Sequence, residues 1–487
     1  MSIDRTLNPF LSLLPKERVI LLLVYLFTTL TTCILALINN YAGSDIVLLS
    51  FLFYAFCASL PLIVYKERKH GIFHPLIFMC LWDSTRTFFV GFIPMTMSGL
   101  TTHRAIHGFS VSDFSNAIGQ LFLLEGFALV FSYIGVSYGF RIRVPTWNLG
   151  VNSNQRAPKH IRVKALILSG FALYGLYVLI TAAGGIEQLL WQRSIRADER
   201  VSAVLGGQFS FLANTGVIIP IVWAAVDRDC FRKVTFWFMV FISSLFPFVA
   251  SGSRSHVILG ILVILATYAI RHRVFSLWKV SIIALILLAF LGIAGDFRSA
   301  TRSASTLQTI DVETGFFAGV RSSIDELGRR AGENNGSIAI LARTPSEVPH
   351  IFGESYLSMP FVFVPRAIWP FDYYPRAGGQ LVIERFYGRE VGGVPPGRVG
   401  EAYWNFSYMG IPIVFTIYGF VMGWVGKFYA RNPESPIASL LLVIFLFRFS
   451  PTSNGFYDLM HVLIPALIFL FIIKMRIPKR MKSRRHA

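Results

Sequence analysis

The sequence predicts an all-α polytopic membrane protein of about twelve transmembrane helices, with one large extracytoplasmic loop domain between the ninth and tenth. Three observations predict it. Hydrophobic residues make up 54% of the 487 and charged residues 15%, against about 25% charge in a soluble chain. Mean hydropathy is +0.58. The Lys and Arg residues also alternate between the two ends of the apolar segments. A net charge of +19 invites a nucleic-acid reading, which the location of that charge excludes.

A span needs about 20 mostly apolar residues, because lipid satisfies no backbone polar group. Twelve segments qualify: 19–38, 46–65, 72–92, 117–139, 165–183, 208–226, 234–250, 256–270, 277–295, 408–426, 437–449 and 458–473. Segments 256–270 and 437–449 are short, and the latter contains Arg448. With the N-terminus inside, the inner segments hold 26 Lys and Arg against six acids. That excess accounts for the whole net charge and fixes both termini on the cytoplasmic side. The basic C-terminal run suits anionic lipid heads as well. The first span reads as a retained anchor, since no small-residue cleavage site follows it. Cys33, Cys57 and Cys80 fall in spans and Cys230 in an inner loop, so disulfides do not hold the outer region. The chain thus divides into helices 1–9 (1–295), an outer domain (296–407), and helices 10–12 with a basic tail (408–487).

A loop as long as 296–407 usually carries function. It holds eleven Arg, twelve acids and no Lys. All eleven Lys of the chain lie in inner segments or at the inner membrane edge. Planar guanidinium forks in this position suit a phosphate or carboxylate ligand at the membrane surface; the alternative is the positive-inside bias alone. Residues 316–343 read as amphipathic helix, interrupted near 332–336. Tyr356 to Phe371 is apolar and broken by Pro360, Pro365 and Pro370, so it lies on or dips into the outer leaflet. The tripeptide Pro-Arg-Ala occurs twice, at 365–367 and 375–377, and places Arg366 and Arg376 beside this aromatic surface. A glycine-rich turn, Gly392 to Glu401, then leads through Ala402-Tyr403-Trp404-Asn405-Phe406 into the tenth span; such a backbone folds closely around an anion. Arg254, in Ser251-Gly252-Ser253-Arg254-Ser255, and Asp296-Phe297-Arg298 sit at the same outer level. Arg254 is either a ligand of one shared cavity or a snorkelling anchor.

In the spans, Asp83 and Arg86 are three apart and can pair on one helix face. Glu125, Arg448 and Asp458 read as lone ionisable groups, which in a membrane are functional candidates by default. Asp458 and His461 share a face and either line a cavity or close a helix start.

The ordered set Ser251-Gly252-Ser253-Arg254-Ser255, Ala342-Arg343-Thr344-Pro345, Gly353-Glu354-Ser355-Tyr356, Val364-Pro365-Arg366-Ala367-Ile368-Trp369-Pro370 and Gly400-Glu401-Ala402-Tyr403-Trp404-Asn405-Phe406 resembles the bacterial Wzy-type oligosaccharide repeat-unit (O-antigen) polymerases. One departure is visible: many relatives carry a lysine and a proline after Trp-Pro, whereas here the chain runs Phe371-Asp372-Tyr373-Tyr374-Pro375-Arg376 and the cation is Arg376. The resemblance implies a C-type-like membrane glycosyltransferase of the bacterial inner membrane. It would join undecaprenyl-diphosphate-linked repeat units at the periplasmic face, releasing undecaprenyl diphosphate. The partners are then that lipid-linked donor and acceptor and the bilayer, with a chain-length regulator as a further candidate and no nucleic acid. Arg254, Arg298, Arg366, Arg376 and Arg398 would hold the departing diphosphate, where one such donor contributes about 2.7–4 kcal/mol in the transition state. Glu401, or in second place Asp296, would be the base. Trp369, Tyr373, Tyr374, Tyr403, Trp404 and Asn405 would contact sugars, unless the aromatics form an interfacial belt. No cofactor is expected and no metal: the Asp-x-Asp at Asp227-Arg228-Asp229 is on the inner side, and the outer histidines lack ligand spacing. The alternatives are an O-antigen ligase and a lipid-linked oligosaccharide flippase or transporter.

Overall fold

The computed structural model describes residues 9–38, 44–66, 70–85, 111–144, 160–186, 188–189, 212–251, 254–273, 278, 282, 335–361, 376–388 and 393–474. Among these residues every regular element is helical. In chain order the α-helices are α1 Pro15–Ile38, α2 Ser44–Ile63, α3 Pro75–Thr85, α4 Val111–Gly139, α5 Ile161–Ala183, α6 Ile218–Val226, α7 Val234–Ser251 and α8 Arg254–His272. After these come α9 Asn335–Arg343, α10 Glu354–Leu357, α11 Gly378–Tyr387, α12 Arg398–Phe406, α13 Gly410–Arg431, α14 Pro436–Arg448 and α15 Ser453–Lys474.

Six stretches among the described residues are long and apolar enough to cross a membrane: Pro15–Ile34, Asp45–Ile63, Asp113–Gly139, Ile161–Ala183, Arg398–Arg431 and Ser453–Ile473. Four more apolar helices, Leu212–Val226, Val234–Ser244, Gly260–His272 and Pro436–Arg448, are shorter. These ten coincide with predicted segments. Of the other two, 72–92 is represented by α3 as far as Thr85, and 277–295 falls outside the described residues except for positions 278 and 282. Helix ends extend past the apolar runs. α4 begins at Val111 and α15 at Ser453, because polar first turns such as Ser-Asp and Ser-Asn-Gly propagate a helix that the hydropathy window stops counting.

The predicted inner segments meet at one end of the bundle. The Arg431 guanidinium donates to the Val144 carbonyl, Arg228 pairs with Glu434, and Arg271 Nη1 donates to the Glu434 carbonyl at 3.1 Å. Lys164 Nζ satisfies the carbonyls of Ile472 and Ile473 at 2.8 and 3.1 Å, where the last turn of α15 leaves them without amide partners. The Tyr429 hydroxyl reaches Pro9 O at 3.1 Å, and Phe10 and Leu11 accept backbone bonds from Phe73 and Ile72.

The centre of the bundle is a seam between α4 and α13. A Cβ at Gly419 would stand 2.0 Å from Ser132 O and one at Gly423 2.3 Å from Val136 O; reciprocally, Gly135 lies against Thr416 O at 2.2 Å and Gly139 against Phe420 O at 2.3 Å. Two small-xxx-small faces thus bring main chains into contact, the device that replaces hydrophobic attraction between helices in lipid. Gly419→Leu and Gly135→Leu are expected to abolish accumulation of folded protein, whereas Gly170→Leu, at a position with nothing within 4 Å, leaves it unchanged. Recovery of monodisperse protein from detergent extracts measures this.

Candidate functional site

The described parts of the long outer segment fold as short helices seated on and between the spans. α9 packs on α4 and α12, and α12 runs by a 3-10 turn at Ser407–Met409 into α13. The glycine-rich turn therefore ends earlier than predicted. Gly397 carries φ +67° and begins α12, and Gly400 lies inside that helix. Gly400 is required by contact and not by a turn, since a Cβ there would fall 2.7 Å from Ser337 Cα on α9.

α12 is amphipathic, yet its polar face is buried along with its apolar one. Arg398 is 5% exposed and Glu401 and Asn405 are 0% exposed. The Arg398 guanidinium bridges two spans. Nη1 lies 2.7 Å from Asp83 Oδ1 of α3, and Nε and Nη2 clasp Glu125 Oε2 of α4, Nε at 2.9 Å. Glu125 is thus paired and not the lone group its sequence context suggests. Asp83 engages Arg398; its predicted partner Arg86 lies outside the described residues. The fork of Arg398 is filled by carboxylates, and a diphosphate would have to displace them from a buried site.

Glu401, one turn further on, joins the roof together. Its Oε1 accepts from the hydroxyl of Ser355 in α10 at 2.6 Å and from that of Ser453 at the start of α15 at 2.5 Å. The Ser453 amide donates to both carboxylate oxygens at 3.2 Å. Gly378 N, opening α11, donates to Ser453 Oγ at 2.8 Å, and a Cβ on Gly378 would sit 2.7 Å from Glu401 Oε1. The first turns of α10 and α15 therefore meet at one carboxylate, and that of α11 joins them through Ser453. Asn405 Nδ2 completes the group by donating to Ser355 Oγ at 2.9 Å and Glu401 O at 2.7 Å. Loss of solvent, and after it the Glu401 charge, raises the neighbouring Tyr356 phenol well above its usual range.

The expected sugar contacts on α12 have a different part. Asn405 is fully enclosed, and Tyr403, 4% exposed, has the edges of His350 and Tyr408 against its ring and donates to Thr344 O at 3.3 Å. Trp404 is 0% exposed and donates from Nε1 to Pro349 O at 3.1 Å. These side chains build the roof; no face of Asn405 or Trp404 is open to a sugar. Arg376 pairs with Glu384 in an exposed contact, 46% and 40% exposed at the side chains, which a phosphate displaces at little cost. Arg385 holds Glu354 at 2.6 Å and Arg343 holds Glu347 at 3.4 Å. Every described arginine of the outer segment is paired with a carboxylate. Arg254 starts α8, with its side chain outside the described set; Asp296, Arg298, Arg366, Trp369, Tyr373 and Tyr374 also lie outside the described residues.

Sequence reasoning missed the two organising partners, Ser355 and Ser453. A signal for Ser453 was present: Pro451-Thr452-Ser453-Asn454-Gly455 is a helix-start pattern, and Thr452 Oγ1 indeed accepts from Gly455 N at 2.8 Å.

Such an arrangement defines a helical membrane protein whose polar groups are gathered beneath a roof of short helices, away from its lysine-bearing end. A family model described as O-antigen polysaccharide polymerase Wzy matches residues 20–481, nearly the whole chain. The chain belongs to this family of polysaccharide polymerases. Among curated proteins and among solved structures, no match to the chain is found.

Proposed function

We propose that this chain joins undecaprenyl-diphosphate-linked oligosaccharide repeat units into a surface polysaccharide at the periplasmic face of the bacterial inner membrane. It does so without a metal and releases undecaprenyl diphosphate. The family match over residues 20–481 is the observation that carries this reading. The distribution of charge supports it: Lys gathers at one end, while arginines and carboxylates meet beneath the roof at the other. In this reading Arg254, Arg298, Arg366 and Arg376 bind the diphosphate and offset the charge that builds on it as the glycosidic bond breaks. Arg398 instead ties the roof to the spans through Asp83 and Glu125. Trp369, Tyr373 and Tyr374 contact the sugars.

The test is chain extension in membranes of a strain lacking its own polymerase, supplied with lipid-linked repeat units. A ladder of products is expected from the wild type, including in the presence of EDTA. Arg254→Ala and Arg366→Ala are expected to collapse the ladder to single units at normal protein level. Transfer of units to lipid A core without extension would mark a ligase, and translocation without joining a flippase; either outcome overturns the proposal.

A further inference from the structure

Where α12 passes into α13, four rings stand in a row: Phe352, His350, Tyr403 and Tyr408. Their centroids are 6.3, 5.4 and 5.1 Å apart in turn, each pair edge to face. Tyr403 is enclosed and forms the floor, whereas Phe352 is 81% and Tyr408 58% exposed at the two ends. The main chain holds the Phe352 ring out. Its φ is +43°, a region that a residue with a Cβ enters only when its surroundings impose it. Here they do. Ile351 N donates to Trp404 O and Glu354 N to Ile351 O, both at 3.0 Å, while Trp404 Nε1 donates to Pro349 O at 3.1 Å. Strain of this kind is kept at ligand clamps; an ordinary interfacial anchor does not need it.

Polar atoms interrupt the row. His350 Nδ1 lies 3.2 Å from Trp404 O. A carbonyl only accepts, so Nδ1 carries the proton and Nε2 of the neutral ring keeps a lone pair. The Tyr408 hydroxyl accepts from Gln120 Nε2 of α4 at 2.9 Å, which brings an amide to the same row. Two unlike surfaces flank these residues. On one side Pro345, Ser346, Glu347 and Pro349 are exposed, with Glu347 in an ion pair to Arg343, so that side meets water. On the other, Met409, Ile413 and Ile417 follow at intervals of four, one helical face, and are exposed down the span. That side meets lipid.

A saccharide carried on a lipid needs all of these at once: ring faces for its apolar C–H face, a few placed polar groups for its hydroxyls, and an apolar strip for its tail. We infer that Phe352, His350, Tyr408 and Gln120 form a carbohydrate-binding ledge that takes the saccharide of the lipid-linked repeat unit. This rests on the polymerase reading above. The sugar lies between the Phe352 and Tyr408 rings over Tyr403. One hydroxyl donates to His350 Nε2, and the Gln120 amide and Tyr408 hydroxyl bond others. The lipid follows Met409, Ile413 and Ile417 into the bilayer. Trp404 and Asn405, by contrast, are closed on every side and support the ledge from behind.

The full-length protein in nanodiscs is given two probes. Lipid-linked repeat units report KM and kcat of chain extension, and the repeat-unit oligosaccharide freed from its lipid reports direct binding by calorimetry. Phe352→Leu keeps an apolar side chain for lipid but removes the ring face. His350→Asn keeps a donor for Trp404 O but removes the Nε2 lone pair. Each is expected to raise KM about tenfold with kcat within about twofold, the mark of lost ground-state binding. Each is expected to weaken binding of the free oligosaccharide by the same factor. Wild-type KM and binding in Phe352→Leu overturns the ledge and marks an interfacial anchor. A loss confined to kcat in His350→Asn overturns it as well. A wild type that makes no polymer overturns the polymerase reading instead. The calorimetry then decides the ledge: binding lost in both variants supports it, and equal or absent binding overturns it. Should His350→Asn not accumulate, Tyr408→Leu, at an exposed ring, gives the same measurements.

Discussion

Arg398→Met is expected to remove folded protein from the membrane almost entirely. The substitution keeps much of the side-chain volume but leaves Asp83 and Glu125 facing each other without the cation that separates them. Removing one member of a buried charge group typically costs about 3–5 kcal/mol, a large share of the stability of most domains. The Asp83 Oδ2 atom already lacks a hydrogen-bond partner, so this carboxylate has no second donor in reserve. The measurement is the melting temperature and yield of the detergent-solubilised protein. The triple variant Arg398→Met, Asp83→Asn, Glu125→Gln is expected to recover most of the loss, because it removes the unpaired charges along with the cation. Equal instability in single and triple variants would show that the group acts through its shape alone.

Glu401→Gln is the second large effect, and it separates two roles for this residue. The amide places a donor where two serine hydroxyls and a backbone N–H now donate, so at least one buried donor is left facing another. Hydrogen bonds to charged groups are worth about 1.5–3 kcal/mol each, and three helix starts depend on them. A fall in melting temperature of several degrees, with chain extension lost in proportion to folded protein, is the expected result. A variant that melts like the wild type but has lost turnover would return the role of base to Glu401.

The spans and the segregation of charge were legible in the sequence because hydropathy and lysine position are local properties. The lysines also mark the contacts of the lower end: Lys164 holds the last carbonyls of α15, and Lys233 pairs with Asp227 at 2.5 Å. The site was less legible. Arg398 and Glu125 are 273 residues apart, and no periodicity links them; local spacing offered Arg86 to Asp83 instead. The sequence places Glu401 in a glycine-rich turn because Gly397 and Gly400 look alike in it. One terminates the turn with a positive φ, and the other lies within a helix to admit Ser337. The arginines of the outer segment look in the sequence like ligands for an external anion, whereas those described are paired within the protein. Their acids were counted in the sequence, but which acid meets which arginine depends on how the short helices fold back.

The glycine seam has a mechanical consequence. Where two backbones touch with no side chains between them, there is nothing to repack, and sliding one helix along the other would drive each Cα over a ridge of carbonyl oxygens. α4 and α13 therefore behave as a single mast of fixed register. Because α12 continues into α13, that register also sets the height at which Glu125 meets Arg398, and any opening of the bundle has to hinge elsewhere.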